Sequence, residues 1–280
     1  MAQGLAVAQV GSGAPLVLIH GIATDSRIWT TVVPELARGR RVITVDLPGF
    51  GGSAPVGEGF DLDTVAAAIV AGLHAEGVTG RYDLVGHSLG GGVAITLAAA
   101  HPDVVRRLVL VAPAGLRPLP PAVAALLAGD RVSRLLAGAA DMFLAARRGA
   151  APLTDLAWGR RLLLGLAVAD GAQVPPAVAR GLLEASRGSH LSGPALATIT
   201  SVDLRPRLGE IAAPLGVIWG VADRTVPIRG LEELLRARPD AEVVRLPGTG
   251  HMPMVECPAA FLTGLHRLLA DTTSPAEAVA

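Results

Sequence analysis

Gly86-His87-Ser88-Leu89-Gly90 is the stretch on which the reading of this 280-residue chain turns. Arg81-Tyr82-Asp83-Leu84-Val85, just before it, reads as a short buried strand. The ten residues from Gly91 to Ala100 read as a helix with a small-residue face. A serine with glycine at both i−2 and i+2, on a strand-to-helix turn, is the pattern of a nucleophile held out from the end of a sheet. The turn strains the serine backbone, and larger flanking residues would collide across it. The chain has 34 glycines and 10 serines, so chance supplies roughly 0.15 such matches. Context has to carry the reading.

The context is an alternation of strands and helices. Residues 4 to 10 read as an edge strand, and Pro15-Leu16-Val17-Leu18-Ile19-His20 as a parallel strand buried on both faces. A helix is expected around Trp29 to Leu36, then a strand over Arg41 to Asp46 and the turn Leu47-Pro48-Gly49-Phe50-Gly51-Gly52-Ser53. Residues 61 to 76 read as a helix capped by Asp63 or Thr64. Leu108 to Ala112 form the strand after the serine helix. From residue 114 to about 205 no strand-like run occurs, only Ala/Leu/Arg-rich segments broken by Pro and Gly, which read as three to five helices. The alternation resumes with a strand at Pro214 to Gly220. It ends with a helix over Arg229 to Ala237, a strand over Glu242 to Leu246 and a helix from Pro258. This predicts an α/β fold with a doubly wound, mostly parallel sheet. The domain boundaries follow: a core of residues 1–113 and 206–280, an inserted helical cap of residues 114–205, and a frayed tail over 271–280.

Composition narrows the function classes. Acidic and basic residues balance at 24 each, which points away from nucleic acid. One cysteine, Cys257, rules out an internal disulfide and suggests a reducing setting. No apolar run reaches a membrane-spanning length, and the first residues lack a signal-peptide pattern, so a cytoplasmic location is expected. No cofactor or metal is called for. Oligomeric state is left open.

In a parallel sheet, ligands sit at the carboxyl ends of the strands. His20, Asp46, Ser88, Asp223 and His251 all fall at such ends. A serine hydroxyl needs a base, and the base an orienting acid. Of seven histidines, His251, in a Gly-x-Gly-His loop after the last strand, is read as the base. Asp223, after the strand ending at Gly220, is read as the acid. Asp46 is read as bracing the Pro-Gly turn.

With those pieces placed, the chain resembles the α/β-hydrolase-fold enzymes along essentially its whole length. The resemblance rests on His20-Gly21, Asp46-Leu47-Pro48-Gly49-Phe50-Gly51, Gly86-His87-Ser88-Leu89-Gly90, Gly220-Val221-Ala222-Asp223 and Gly250-His251, in the order Ser, Asp, His. It implies an oxyanion hole from the backbone N–H groups of Ile22 and Leu89. Ser88 in place of an Asp sets the chain apart from the family's haloalkane dehalogenases and epoxide hydrolases. Ile22-Ala23-Thr24-Asp25-Ser26 differs from the Gly-Pro-Gly stretch usual in its carbon–carbon hydrolases. The implied activity is a lid-covered serine esterase acting on a carboxylic ester with an apolar acyl or alcohol part, a small-molecule substrate. The alternatives are a carbon–carbon hydrolase of the meta-cleavage type, or a thioesterase, lactonase or perhydrolase with the same residues. The cap is expected to roof the cleft with apolar helix faces, Met142, Phe143 and Trp158 being its few large side chains. Arginines 147–148 and 160–161 are expected to face water.

Overall fold

Leu16, Val17, Leu18 and Ile19 are all fully buried, but not against the same neighbours. Leu16 and Leu18 join an apolar cluster with Trp29, Val109 and Phe261. Val17 and Ile19 join another with Ile69, Val93 and Leu110. An extended chain sends alternate side chains to opposite faces, so a continuous apolar run marks a strand covered on both sides.

The structure is a computed structural model that describes residues 4–57, 60–117, 130–186, 198 and 200–270. Its strands are β1 (Val7–Val10), β2 (Ala14–Ile19), β3 (Arg40–Val45), β4 (Tyr82–His87), β5 (Val105–Val111), β6 (Leu215–Gly220) and β7 (Glu242–Leu246). They form one sheet in the order β1-β3-β2-β4-β5-β6-β7. β1 pairs antiparallel to β3, while the remaining neighbours run parallel. The loops leaving β2, β3, β4, β6 and β7 therefore gather at one edge of the sheet. Far from that edge, at the other end of β4, Asp83 is fully buried between Arg40 (2.5 Å) and Arg106 (2.6 Å).

Two local expectations change. The helix expected around Trp29 to Leu36 is a 3₁₀ turn at Ser26–Trp29 and a short α1 (Val33–Leu36). Pro34 is the cause, since it has no N–H and its ring clashes with a preceding helical turn. Helix α2 (Leu62–Ala75) is capped by Asp61, not by Asp63 or Thr64. The Asp61 carboxylate accepts from Thr64 N (2.8 Å) and Oγ1 (2.9 Å), which holds its carboxyl below the usual range. A cap needs extended backbone, and Asp63 and Thr64 already lie in the first turn. Helix α3 (Leu89–Ala100) follows the serine and packs with α2 on one face of the sheet.

Between β5 and β6 the described residues form α4 (Asp130–Gly149), α5 (Ala157–Leu164) and α6 (Pro176–Ala185), joined by 3₁₀ turns at Ala151–Asp155 and Gly171–Gln173. Arg27 Nη2 donates to the Glu184 carbonyl (3.0 Å), tying α6 to the Ser26–Trp29 turn. Two expectations for this segment are corrected. Arg160 is buried, donating to the carbonyls of Thr154 (2.7 Å) and Ala172 (3.1 Å), and Arg147 Nη2 donates to the Leu163 carbonyl. Carbonyls in and beside the short turns lack helical partners, and these arginines supply donors. Met142 and Trp158 face outward, 72% and 56% exposed. The Phe143 side chain and the tail over 271–280 lie outside the described residues. No described helix is long and apolar enough to cross a membrane. Short helices α7 (Arg205–Leu208), α8 (Arg229–Ala237) and α9 (Pro253–Glu256), then α10 (Pro258–Leu269), are the remaining α-helices labelled among the described residues.

Candidate active site

β4 runs into α3 through Ser88, whose backbone sits at φ 54, ψ −118. That left-handed region is costly for a residue with a Cβ and persists only when its surroundings hold it. Here Ser88 N donates to the Val111 carbonyl (3.0 Å), and the Ser88 carbonyl accepts from Gly91 (2.9 Å), Gly92 (3.1 Å) and Ala114 (2.9 Å). The flanking glycines are needed for space. A Cβ on Gly86 would stand 2.7 Å from Ala94 Cβ, and one on Gly90 2.7 Å from the Ile19 carbonyl. One on Gly21 would stand 2.9 Å from Ser88 Cβ, so the loop after β2 passes directly beside the serine.

The loop after β6 carries Asp223 and the loop after β7 carries His251, and the sheet order brings them together. His251 Nδ1 lies 2.7 Å from Asp223 Oδ2. The other carboxylate oxygen accepts from Thr225 N (2.8 Å) and Val226 N (2.9 Å), which fixes the carboxylate toward the imidazole. Ser88 and His251 line one cavity of about 170 Å³, the volume of roughly six waters. Its other walls include Ile22, Ala23 and Met252 from the sheet's loops and Leu164, Leu166, Leu182 and Leu183 from the helical segment. Among the described residues the Ser88 hydroxyl takes no hydrogen-bond partner. Serine–histidine contacts of this kind often tighten only once substrate is bound. Of the two expected oxyanion donors, Ile22 lines the cavity, while the Leu89 side chain packs in the core. Leu89 is the first residue of α3, so its N–H has no intrahelical acceptor and points out of the helix end.

Asp46 braces the loops, accepting from Ser26 N (2.8 Å) and Gly52 N (2.8 Å). His20 is fully buried as a strut: its ring nitrogens meet the Gly21 carbonyl (2.7 Å) and Leu47 N (2.9 Å). Because Leu47 N can only donate, the neutral tautomer with Nδ1 protonated fits. His87 donates Nε2–H to the His251 carbonyl (2.8 Å), with ring centroids 4.7 Å apart. Burial holds His20 below the ordinary histidine value and His87 well below it. The unfolded chain takes up these protons near pH 6.5, the folded chain only at lower pH. Stability is therefore full above about pH 6.5 and falls as the pH drops below it. A urea midpoint that stays flat between about pH 7.5 and 5 would contradict this.

Sequence reasoning missed Glu256. Its carboxylate accepts from Gly250 N (2.8 Å) and Met252 N (3.0 Å), on either side of His251, and from Ala169 N (2.8 Å) in the helical segment. One side chain thus sets the His251 loop and ties it to the segment above. Glu256→Ala is expected to destabilise the protein by about 2 kcal/mol or more, since partly buried donors lose their acceptor. It should also lower kcat, with Glu256→Gln recovering part of both in urea titrations and turnover assays. Among the described residues no cluster of three His, Cys, Asp or Glu is placed to hold a metal ion.

Comparison with known proteins bears on the fold that carries this site. Residues 14–258 match the model of the alpha/beta hydrolase fold family. The chain is 31% identical over 280 residues to an uncharacterised protein of Mycobacterium tuberculosis, covering 95% of this chain and 78% of the relative. It is 31% identical over 248 residues to the pimeloyl-[acyl-carrier protein] methyl ester esterase of Aromatoleum aromaticum, covering 87% of this chain and 93% of that protein. A bromoperoxidase from Bacillus anthracis, 24% identical, covers 95% of each chain at a TM-score of 0.75, a likeness of fold.

Proposed function

The chain belongs to the alpha/beta hydrolase fold family, and on that premise we propose that it is a serine hydrolase cleaving carboxylic esters with an apolar acyl or alcohol part. The observation that carries the reading is His251, held by Asp223 at 2.7 Å while its ring shares one cavity with the strained Ser88.

In this reading Ser88 Oγ attacks the ester carbonyl as His251 Nε2 takes its proton. The charge that develops on the carbonyl oxygen meets the N–H groups of Ile22 and Leu89, preset donors each worth about 3–4 kcal/mol in such sites. His251 returns the proton to the leaving alkoxide, and the acyl group stays on Ser88. Water then attacks the acyl carbon, its proton going to His251 and from there to Ser88 as the acid departs. Asp223 keeps the imidazole in the tautomer whose Nε2 is unprotonated and offsets its charge when both nitrogens are protonated. Residues 114–205 act as a cap whose leucines exclude water from the acyl group. An ester is favoured as substrate because a relative spanning most of the chain is named a methyl ester esterase.

The test is a series of p-nitrophenyl esters of rising chain length. Each methylene buried against Leu164, Leu182 and Leu183 should add up to about 0.8 kcal/mol in kcat/KM, roughly fourfold, until the cavity is full. A small cavity should fill early, so the profile should rise from acetate and then fall. An enzyme that prefers acetate to every longer ester contradicts an apolar acyl site.

A further inference from the structure

Thr225 lines two cavities. One is the cavity over Ser88. The other, of about 170 Å³, is walled by residues 113–117 after β5 and by residues 225–227 and Gly230 at the start of α8. The first of these segments is fastened to the nucleophile turn, because Ala114 N donates to the Ser88 carbonyl (2.9 Å). Thr225 itself is exposed, so the rim dividing the two cavities stands at the surface.

Three exposed arginines belong to these walls. Arg117 lines the second cavity, Arg224 precedes Thr225, and Arg229 opens α8. Most other described arginines are paired, as Arg205 is with Asp203, Arg207 with Asp63 and Arg238 with Asp240, each at 2.7 Å. Among the described residues, Arg117, Arg224 and Arg229 take no hydrogen bond or ion pair from their side chains. The carboxylates nearest in sequence are engaged elsewhere: Asp223 holds His251 (2.7 Å) and Glu233 pairs with Arg236 (2.6 Å). No carboxylate occurs among the described residues that line the second cavity.

One exposed arginine needs no partner, since water solvates it. Three like charges around one concave wall repel each other and focus a positive potential there, which an anion relieves. A carboxylate occupies a single guanidinium fork. A phosphate monoester brings nearly two charges and three acceptor oxygens, so it can serve more than one fork at once.

We infer that the cavity between Arg117 and α8 binds a phosphate group on the alcohol part of the substrate, whose acyl part lies in the cavity over Ser88. The inference rests on the serine-hydrolase reading and narrows its substrate class to esters of an apolar acid with a phosphate-bearing alcohol. The ester carbonyl then stands at Ser88 while the alcohol chain crosses the rim at Thr225. On acylation the alcohol leaves with the proton from His251, its phosphate intact.

The experiment uses the full-length protein and the butyrate monoesters of ethanediol, butanediol, hexanediol and octanediol. Each carries a phosphate on its far oxygen and is compared with the same monoester bearing a free hydroxyl, butyrate release being followed by chromatography. For the best-fitting length, kcat/KM should favour the phosphate by about tenfold or more. Added sodium chloride should weaken the preference. Arg117→Met should bring the ratio close to one, and Arg117→Lys, which keeps the charge without the fork, should keep part of it. The ratio is the readout, because a folding defect lowers both esters alike. Should Arg117→Met not fold, the wild-type ratio and its salt dependence decide. Inorganic phosphate should raise KM for the phosphate-bearing ester and leave the other unaffected. An equal effect on both marks a site for free phosphate and overturns the substrate assignment. A wild type that favours the hydroxyl-ended ester, or neither, at every length overturns the inference and leaves the hydrolase reading standing. A preference that survives Arg117→Met overturns it too. Failure to cleave these esters and p-nitrophenyl esters alike overturns both.

Discussion

Replacing Ser88 by alanine is expected to lower kcat for every ester cleaved by roughly 10⁴- to 10⁶-fold while leaving the fold intact. The Ser88 carbonyl and N–H hold the elbow through backbone bonds that alanine also makes. The side-chain hydroxyl, by contrast, takes no partner among the described residues. Alanine occupies the same strained φ, as Ala23 (φ 56) and Ala112 (φ 43) already do in this chain. The urea midpoint should therefore move little. What remains after the substitution is cleavage assisted by the oxyanion donors and the cavity alone. A variant that keeps more than about a tenth of the turnover would remove Ser88 from the chemistry.

Asp223→Asn is expected to cost on the order of 10⁴-fold in kcat, as loss of the corresponding charge does in other serine triads. Asparagine can still accept from Thr225 N and Val226 N through one oxygen, so the loop should keep its shape. Its NH₂ group would then face His251 Nδ1 and donate to it. The imidazole proton moves to Nε2, where it points at Ser88 and cannot take the serine proton. KM should change far less than kcat, because Asp223 does not line the cavity. A loss under about tenfold would mean that another group orients His251.

The strands and the serine turn were legible because they depend on near neighbours in sequence. Leu16 to Ile19 announce a doubly covered strand by being apolar at every position, and Gly86 and Gly90 announce a turn with no room for side chains. Asp223 and His251 were legible by position, each following a strand. Glu256 was not, since one of its three partners is Ala169, far off in the chain. Helical periodicity shows which face of a segment is apolar but not what lies over it. Hence Arg160 and Arg147 were placed in water while the structure turns them to carbonyls and to the cavity, and Trp158, one of the segment's few large side chains, faces outward. The break before α1 is readable from Pro34, which the expectation of one helix from Trp29 to Leu36 did not use.

The central claim is that Ser88 is a nucleophile activated by His251, and covalent labelling tests it most directly. The protein treated with a fluorophosphonate should gain one phosphonyl group per chain, found by peptide mass mapping on Ser88. Asp223→Asn should slow that labelling greatly without moving it. A label on any other residue, or an unlabelled protein that still hydrolyses esters, would contradict the account.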